Sequence, residues 1–132
     1  MKVINCFYLC FILFLACSFA SCSNQDNRKA IIGRWRFDSY YTDGALTPQM
    51  TEDLKVFNQV TKGLIITFKE GGMMKSEQKG GSEINNSDGV YNILKNGQLA
   101  LGIDTATILQ LDENFLKLSS EGKPNILFRR ID

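Results

Sequence analysis

From Gly33 onward the chain alternates. Trp35 and Phe37 fall on one side, Arg34, Arg36 and Asp38 on the other, and Tyr41 continues the apolar side. A period of two residues is that of a strand with one buried face, so this stretch is predicted as the first strand. The period changes after Thr47-Pro48, where Met50, Leu54, Phe57 and Val60 recur at helical spacing. Thr47 suits a helix N-cap, Pro48 the first turn and Lys62-Gly63 the end, which predicts one short amphipathic helix over residues 48–62.

Alternation then returns. Leu64, Ile66 and Phe68 form a strand closed by Lys69-Glu70-Gly71-Gly72, and Met73 to Lys79 reads as a weaker, polar strand. Gly80 to Asn86, rich in Gly, Ser and Asn, reads as a loop. Gly89 to Leu94 and Gln98 to Leu101 flank Lys95-Asn96-Gly97, an Asn-Gly hairpin signal. Thr105 to Leu111 and Phe115 to Ser119 flank Asp112-Glu113-Asn114, and Glu121 to Pro124 turns into a last strand, Asn125 to Ile131. About eight short, closely spaced strands are the signature of an all-β antiparallel up-and-down barrel or a sandwich. Barrel closure is the arrangement that removes sheet edges altogether. Its expected inward residues are Leu64, Ile66, Phe68, Leu99, Leu101, Leu109 and Leu111.

Residues 1–22 break both periods. Lys2 is their one charge, an apolar stretch runs from about Phe7 to Phe19, and small residues follow at Ala20 and Ser21. These are the three regions of a secretory signal peptide. Phe19-Ala20-Ser21-Cys22 resembles the lipobox cut by lipoprotein signal peptidase, whose product carries acyl chains on the released cysteine. Residues 1–21 are therefore expected to be a signal peptide and Cys22 the lipidated residue. Cys17, behind Phe14-Leu15-Ala16, is a rival position. Residues 22–32 are read as the modified cysteine and a tether, with Ser23-Asn24-Gln25-Asp26-Asn27 wholly polar, and residues 33–132 as the folded domain. A lipid anchor places that domain in the cell envelope, outside the cytoplasm, on a bacterial membrane taken to be the outer one.

Composition narrows the chemistry. The 132 residues allow a single core, with 44% hydrophobic and 22% charged residues. There is no histidine, and all four cysteines (6, 10, 17 and 22) lie in the leader. The folded part thus lacks a thiolate, a disulfide and both His and Cys metal ligands. Loss of Lys2 with the leader leaves 14 basic and 14 acidic side chains, with no basic field for nucleic acid. Asp43, Glu52, Asp53, Asp112 and Glu113 read as loop, turn and helix-start charges, and Gly71-Gly72 and Gly80-Gly81 precede no helix that would cradle a phosphate. No Gly-x-Ser-x-Gly elbow occurs. The expectation is a protein that is not an enzyme and needs no cofactor.

The ends of the domain carry a resemblance. Gly33-x-Trp35 on the first strand and Phe128-Arg129-Arg130-Ile131 on the last resemble lipocalins and the wider calycin group. There the Gly-x-Trp packs at the barrel floor under an arginine from the final strand. Ile66-Thr67-Phe68-Lys69-Glu70-Gly71-Gly72, Gly89-Val90-Tyr91-Asn92-Ile93, Gln98-Leu99-Ala100-Leu101, Ile108-Leu109-Gln110-Leu111, Phe115-Leu116-Lys117-Leu118 and the closing Phe128-x-Arg130 follow the order seen in small lipocalin-like lipoproteins of Bacteroidetes. The resemblance implies a lipocalin-like barrel closed by Gly33, Trp35 and either Arg130 or Arg129. The family pattern favours Arg130, but Phe128 and Arg130 share one face and Leu127, Arg129 and Ile131 the other, and both faces carry apolar residues. The helix after the first strand departs from secreted animal lipocalins and argues against a deep cup.

Two functions fit such a domain. One is a membrane-tethered barrel that takes a small apolar molecule. The other is an envelope protein-interaction or inhibitor barrel with a filled core, using loops such as Gly80 to Asp88 against a protein partner. Trp35 and Phe37 are expected in the core, and Met73-Met74 as gap filler or a pliable mouth.

Overall fold

A computed structural model describes residues 23–80 and 82–132 of the chain. Helix α1 (Ser23–Ala30) leads into β1 (Gly33–Tyr41), followed by α2 (Pro48–Thr61) and β2 (Ile65–Phe68). A short 3-10 turn at Glu70–Gly72 precedes β3 (Met73–Gly80) and β4 (Glu83–Ile93). Then come β5 (Gln98–Leu101), β6 (Asp104–Leu111), β7 (Phe115–Ser119) and β8 (Asn125–Arg130). The strands close into one antiparallel up-and-down barrel in the order β1 to β8. Closure comes from β8 returning to β1, with Trp35 opposite Arg130, Phe37 opposite Phe128 and Tyr40 opposite Ile126.

Local sequence sets the turns. Thr47 caps α2 by accepting from the Met50 N–H at 3.2 Å, and Gly63 ends the helix region at φ 83°. Between β4 and β5 the Gly97 N–H donates to the Leu94 carbonyl at 3.0 Å, with Gly97 at φ 82°. No residue other than glycine has a positive φ among the described residues, so Asn96 sits in an ordinary turn and Gly97 alone takes the left-handed position.

The barrel has a floor and a mouth. At the floor lie the starts of β1, β5 and β7 and the ends of β2, β4, β6 and β8. The mouth carries α2, the β3–β4 hairpin end and the Gly102-Ile103 turn. The core runs from Ile31, Trp35, Ile93, Leu99 and Leu116, all at most 1% exposed, up to Phe37, Phe68, Leu118 and Phe128.

Four expectations need correction. Leu109 is 51% exposed, because β6 bulges between Ile108 and Gln110 against β7 and the extra residue turns outward. Ile108 and Leu111 pack on the core instead. A second bulge, between Phe37 and Ser39 of β1, passes the inward position from Tyr41 to Tyr40. The expected loop over Gly80 to Asn86 is shorter: Gly80 ends β3, and β4 begins at Glu83 and pairs with β3 without interruption from Gly80–Glu83 to Met73–Val90. Its polar residues are held by ladder hydrogen bonds and not by burial. Finally, the stretch read as tether folds, with Ser23–Ala30 in α1 and Ile31 wholly buried.

Candidate functional site

The floor is built around Trp35. Its indole N–H donates to the Ile31 carbonyl at 2.8 Å, and the Arg130 guanidinium lies 4.3 Å from the ring centroid. Arg130 also donates to the Ile32 carbonyl at 2.9 Å, to the Ala30 carbonyl and, more weakly, to Asp132. One cation thus covers an aromatic face and satisfies carbonyls at the end of α1 that have no helical partner. Gly33 makes room for it: at φ 138° its missing Cβ would overlap Arg130 Nη1 and come within 2.7 Å of the Asp132 carboxylate. Any side chain there would push the arginine off the tryptophan.

Arg129 does something else. Its Nε reaches Asp38 at 2.7 Å on the outer face, and its guanidinium lies 5.2 Å from the Phe115 ring centroid. The β1–β8 register therefore separates the two arginines by face, as strand alternation requires. Cys22, the lipidation candidate, lies outside the described residues, as do Cys17 and the rest of residues 1–22.

Ile31 escaped the sequence reading, although it is 0% exposed and plugs the floor. The signal was present in Ile31-Ile32, two β-branched apolar residues ending a polar run just before Gly33. α1 is further tied to the barrel by Arg28, whose guanidinium donates to the Ile93 carbonyl at 3.3 Å.

The mouth half is not filled. An apolar cavity of about 130 Å³ lies among Phe37, Tyr40, Leu64, Ile66, Phe68, Leu101, Leu118, Ile126 and Phe128, with Thr61 of α2 at its edge. Phe37 meets Phe128 edge-on at 6.2 Å and Tyr40 at 5.0 Å, so aromatic rings form much of one wall. A larger groove of about 610 Å³ beside α1 is open to solvent and lined by Arg28, Lys29 and Glu70 together with Tyr91. That groove offers charge and no enclosed apolar volume. Burial, followed by the charge of Glu70, raises the Tyr91 phenol above its ordinary value of 10.0, and its O–H donates to the Lys69 carbonyl at 2.6 Å. Among the described residues no three acidic, Cys or His side chains gather to hold a metal ion.

Helix α2 covers the mouth without burying any residue. β2 pairs β1 only up to Arg36, so the backbone of Tyr40 is open on that side. Asn58 of α2 closes it, accepting from the Tyr40 N–H at 2.7 Å and donating to the Tyr40 carbonyl at 3.3 Å and the Leu54 carbonyl at 2.8 Å. Phe57 meets the Tyr40 ring at 6.0 Å, and Gln78 of β3 donates to the Val60 carbonyl at 2.6 Å. Met50 and Phe57 nevertheless stay 41% and 50% exposed, and Leu54 is only half-buried.

No family model matches the chain, and no curated protein does. Solved structures do. A lipocalin-like protein from Bacteroides uniformis superposes with a TM-score of 0.56 at 17% identity, covering 77% of this chain and 99% of that one. An uncharacterized protein from Bacteroides eggerthii gives 0.53 at 16%, covering 76% and 98%. A DUF4847-family protein from Bacteroides vulgatus gives 0.51 at 15%, covering 76% and 92%. By its fold the chain is a closed eight-stranded barrel similar to these Bacteroides structures, one of which is described as lipocalin-like.

Proposed function

We propose that this is a lipid-anchored lipoprotein of the bacterial cell envelope whose barrel takes one small apolar molecule at its mouth. The observation that carries the ligand half is the partly enclosed cavity of about 130 Å³, walled by aromatic and aliphatic side chains. A dry apolar cavity of ~150 Å³ holds a benzene-sized molecule, whereas drug-sized ligands need ~300 Å³ or more. The ligand class is therefore a single ring or a short branched chain, not a fatty acid or a haem. The anchor half rests on Cys22 behind Phe19-Ala20-Ser21. Among the described residues no helix is long and apolar enough to cross a membrane.

The ligand test is a thermal-unfolding titration with toluene. Binding to the folded state alone raises the midpoint with ligand concentration. Ile126→Phe, which fills the cavity, should abolish that rise while the barrel still forms. A rise of equal size in both proteins sinks the cavity as the site. For the anchor, metabolic labelling with a fatty-acid analogue should tag the wild type and not Cys22→Ser. Equal labelling of the two, or labelling lost only in Cys17→Ser, sinks Cys22.

A further inference from the structure

The β3–β4 hairpin outruns its neighbours. β4 pairs with β5 only at Tyr91, Asn92 and Ile93, while its ladder with β3 continues to Glu83. The Gly102 N–H donates to the Val90 carbonyl at 3.1 Å, which shows that Val90 turns its backbone groups away from β3. In an unbulged antiparallel ladder these directions alternate, so Ile84, Asn86 and Asp88 also present their N–H and C=O groups to that side. The Ser87 carbonyl, between them, accepts from Ser76 of β3 instead. Among the described residues no strand occupies this edge. It is about five residues long and ends against the Gly102-Ile103 turn, where Ile103 is 100% exposed.

The side chains beside the edge say what fits. Ile84 is 62% exposed and Val90 57%, both on the outer face with Asn86 and Asp88. Lys75, opposite Asp88, is drawn to Glu77 at 3.3 Å. Asp88 and Glu83 make no ion pair among the described residues. A free edge recruits an extended chain through its backbone, and side chains spaced by two select which chain.

The geometry points to β4 as a docking edge for an extended segment of a partner protein, with a basic residue opposite Asp88 and an apolar residue opposite Ile84, four positions apart. A second copy fits poorly. The symmetric register that uses all three edge residues sets Asn86 opposite itself and Ile84 opposite Asp88 twice, leaving both carboxylates beside aliphatic side chains and without a cation. This edge lies outside the barrel, so the inference stands apart from whatever the cavity binds.

The probe is the blocked peptide Thr-Lys-Thr-Thr-Thr-Val-Thr, titrated into the full chain in detergent micelles while backbone amide shifts are followed. The amides of Ile84, Asn86 and Asp88 should move and those of the floor should not. Exchanging Lys for Glu in the peptide should weaken binding about tenfold, a difference of one opposed charge pair. Asp88→Lys, an exposed change that should leave Trp35 fluorescence alone, should reverse that preference. Still edge amides, or equal affinity for the Lys and Glu peptides, overturns the proposal. So does edge protection that grows with protein concentration in the absence of peptide, which would mean the edge pairs with a second copy.

Discussion

The two ends of the barrel are closed by different physics. At the floor, Trp35 and Ile31 are fully buried, and every polar group they bring is answered: the indole by a carbonyl, the α1 carbonyls by Arg130. At the mouth, α2 buries nothing and is held chiefly by the Asn58 amide and a ring contact, above an unfilled apolar space. Burial in this barrel is thus concentrated where residues 31–35 meet β8. The opposite end is left loosely covered, and the ligand proposed above would enter there. At the floor the closing side chains are themselves buried, whereas at the mouth no residue of α2 is.

The sharpest way to break the contrast is at the floor. Trp35→Ala should lower stability by about 3–5 kcal/mol, the range for large aromatic truncations, measured by urea unfolding. An effect no larger than that of a mouth substitution would show that the floor is not the stable end. Next, Arg130→Ala should cost about 2 kcal/mol, since it strips a partly desolvated cation from a ring, whereas Arg129→Ala, on a half-exposed surface pair, should cost under about 1 kcal/mol. Trp35 is the only tryptophan, so its fluorescence should respond to Arg130→Ala and ignore Arg129→Ala. Equal losses with unchanged emission would mean the guanidinium is not over the ring.

The mouth should yield less. Asn58→Ala removes both hydrogen bonds to Tyr40 and should cost about 1 kcal/mol, because water can reach the freed groups. Trp35 emission should not change, and proteolysis within residues 48–61 should quicken. A rate like that of the wild type would show α2 to be held by something other than Asn58.

The smallest effect concerns the floor turn between β6 and β7. The side-chain amide of Gln110, then the N–H groups of Asn114 and Phe115, hold the Asp112 carboxyl below its ordinary value of 3.8. A depressed folded value means the carboxylate stabilises the fold above its ordinary range and loses that contribution as pH falls through the folded value. The stability gap between wild type and Asp112→Ala should therefore be present near neutral pH and shrink as the pH is lowered below the ordinary carboxylate range. A gap that is constant with pH would remove the carboxylate from the account.

Much of this barrel was legible in the residues themselves. The alternation around Trp35, Ile66 and Phe68, the Thr47 cap, the Asn-Gly turn and the series of short strands all depend on contacts within a few positions. Other features depend on partners far along the chain. The bulges near Asp38 and Leu109 arise where a strand has one residue more than its neighbour in the closed ring, and each hands the inward position to a residue that strict alternation puts outside. The choice of Arg130 over Arg129 followed from the β1–β8 register, which the alternation of β8 alone left open because both of its faces are apolar. Ile31 and α1 became part of the floor because closure left a tryptophan and several carbonyls needing cover. A period of two residues is set by each strand's own backbone, whereas register, bulges and plugs are set by the need to close a ring, a condition that exists only once all the strands are assembled.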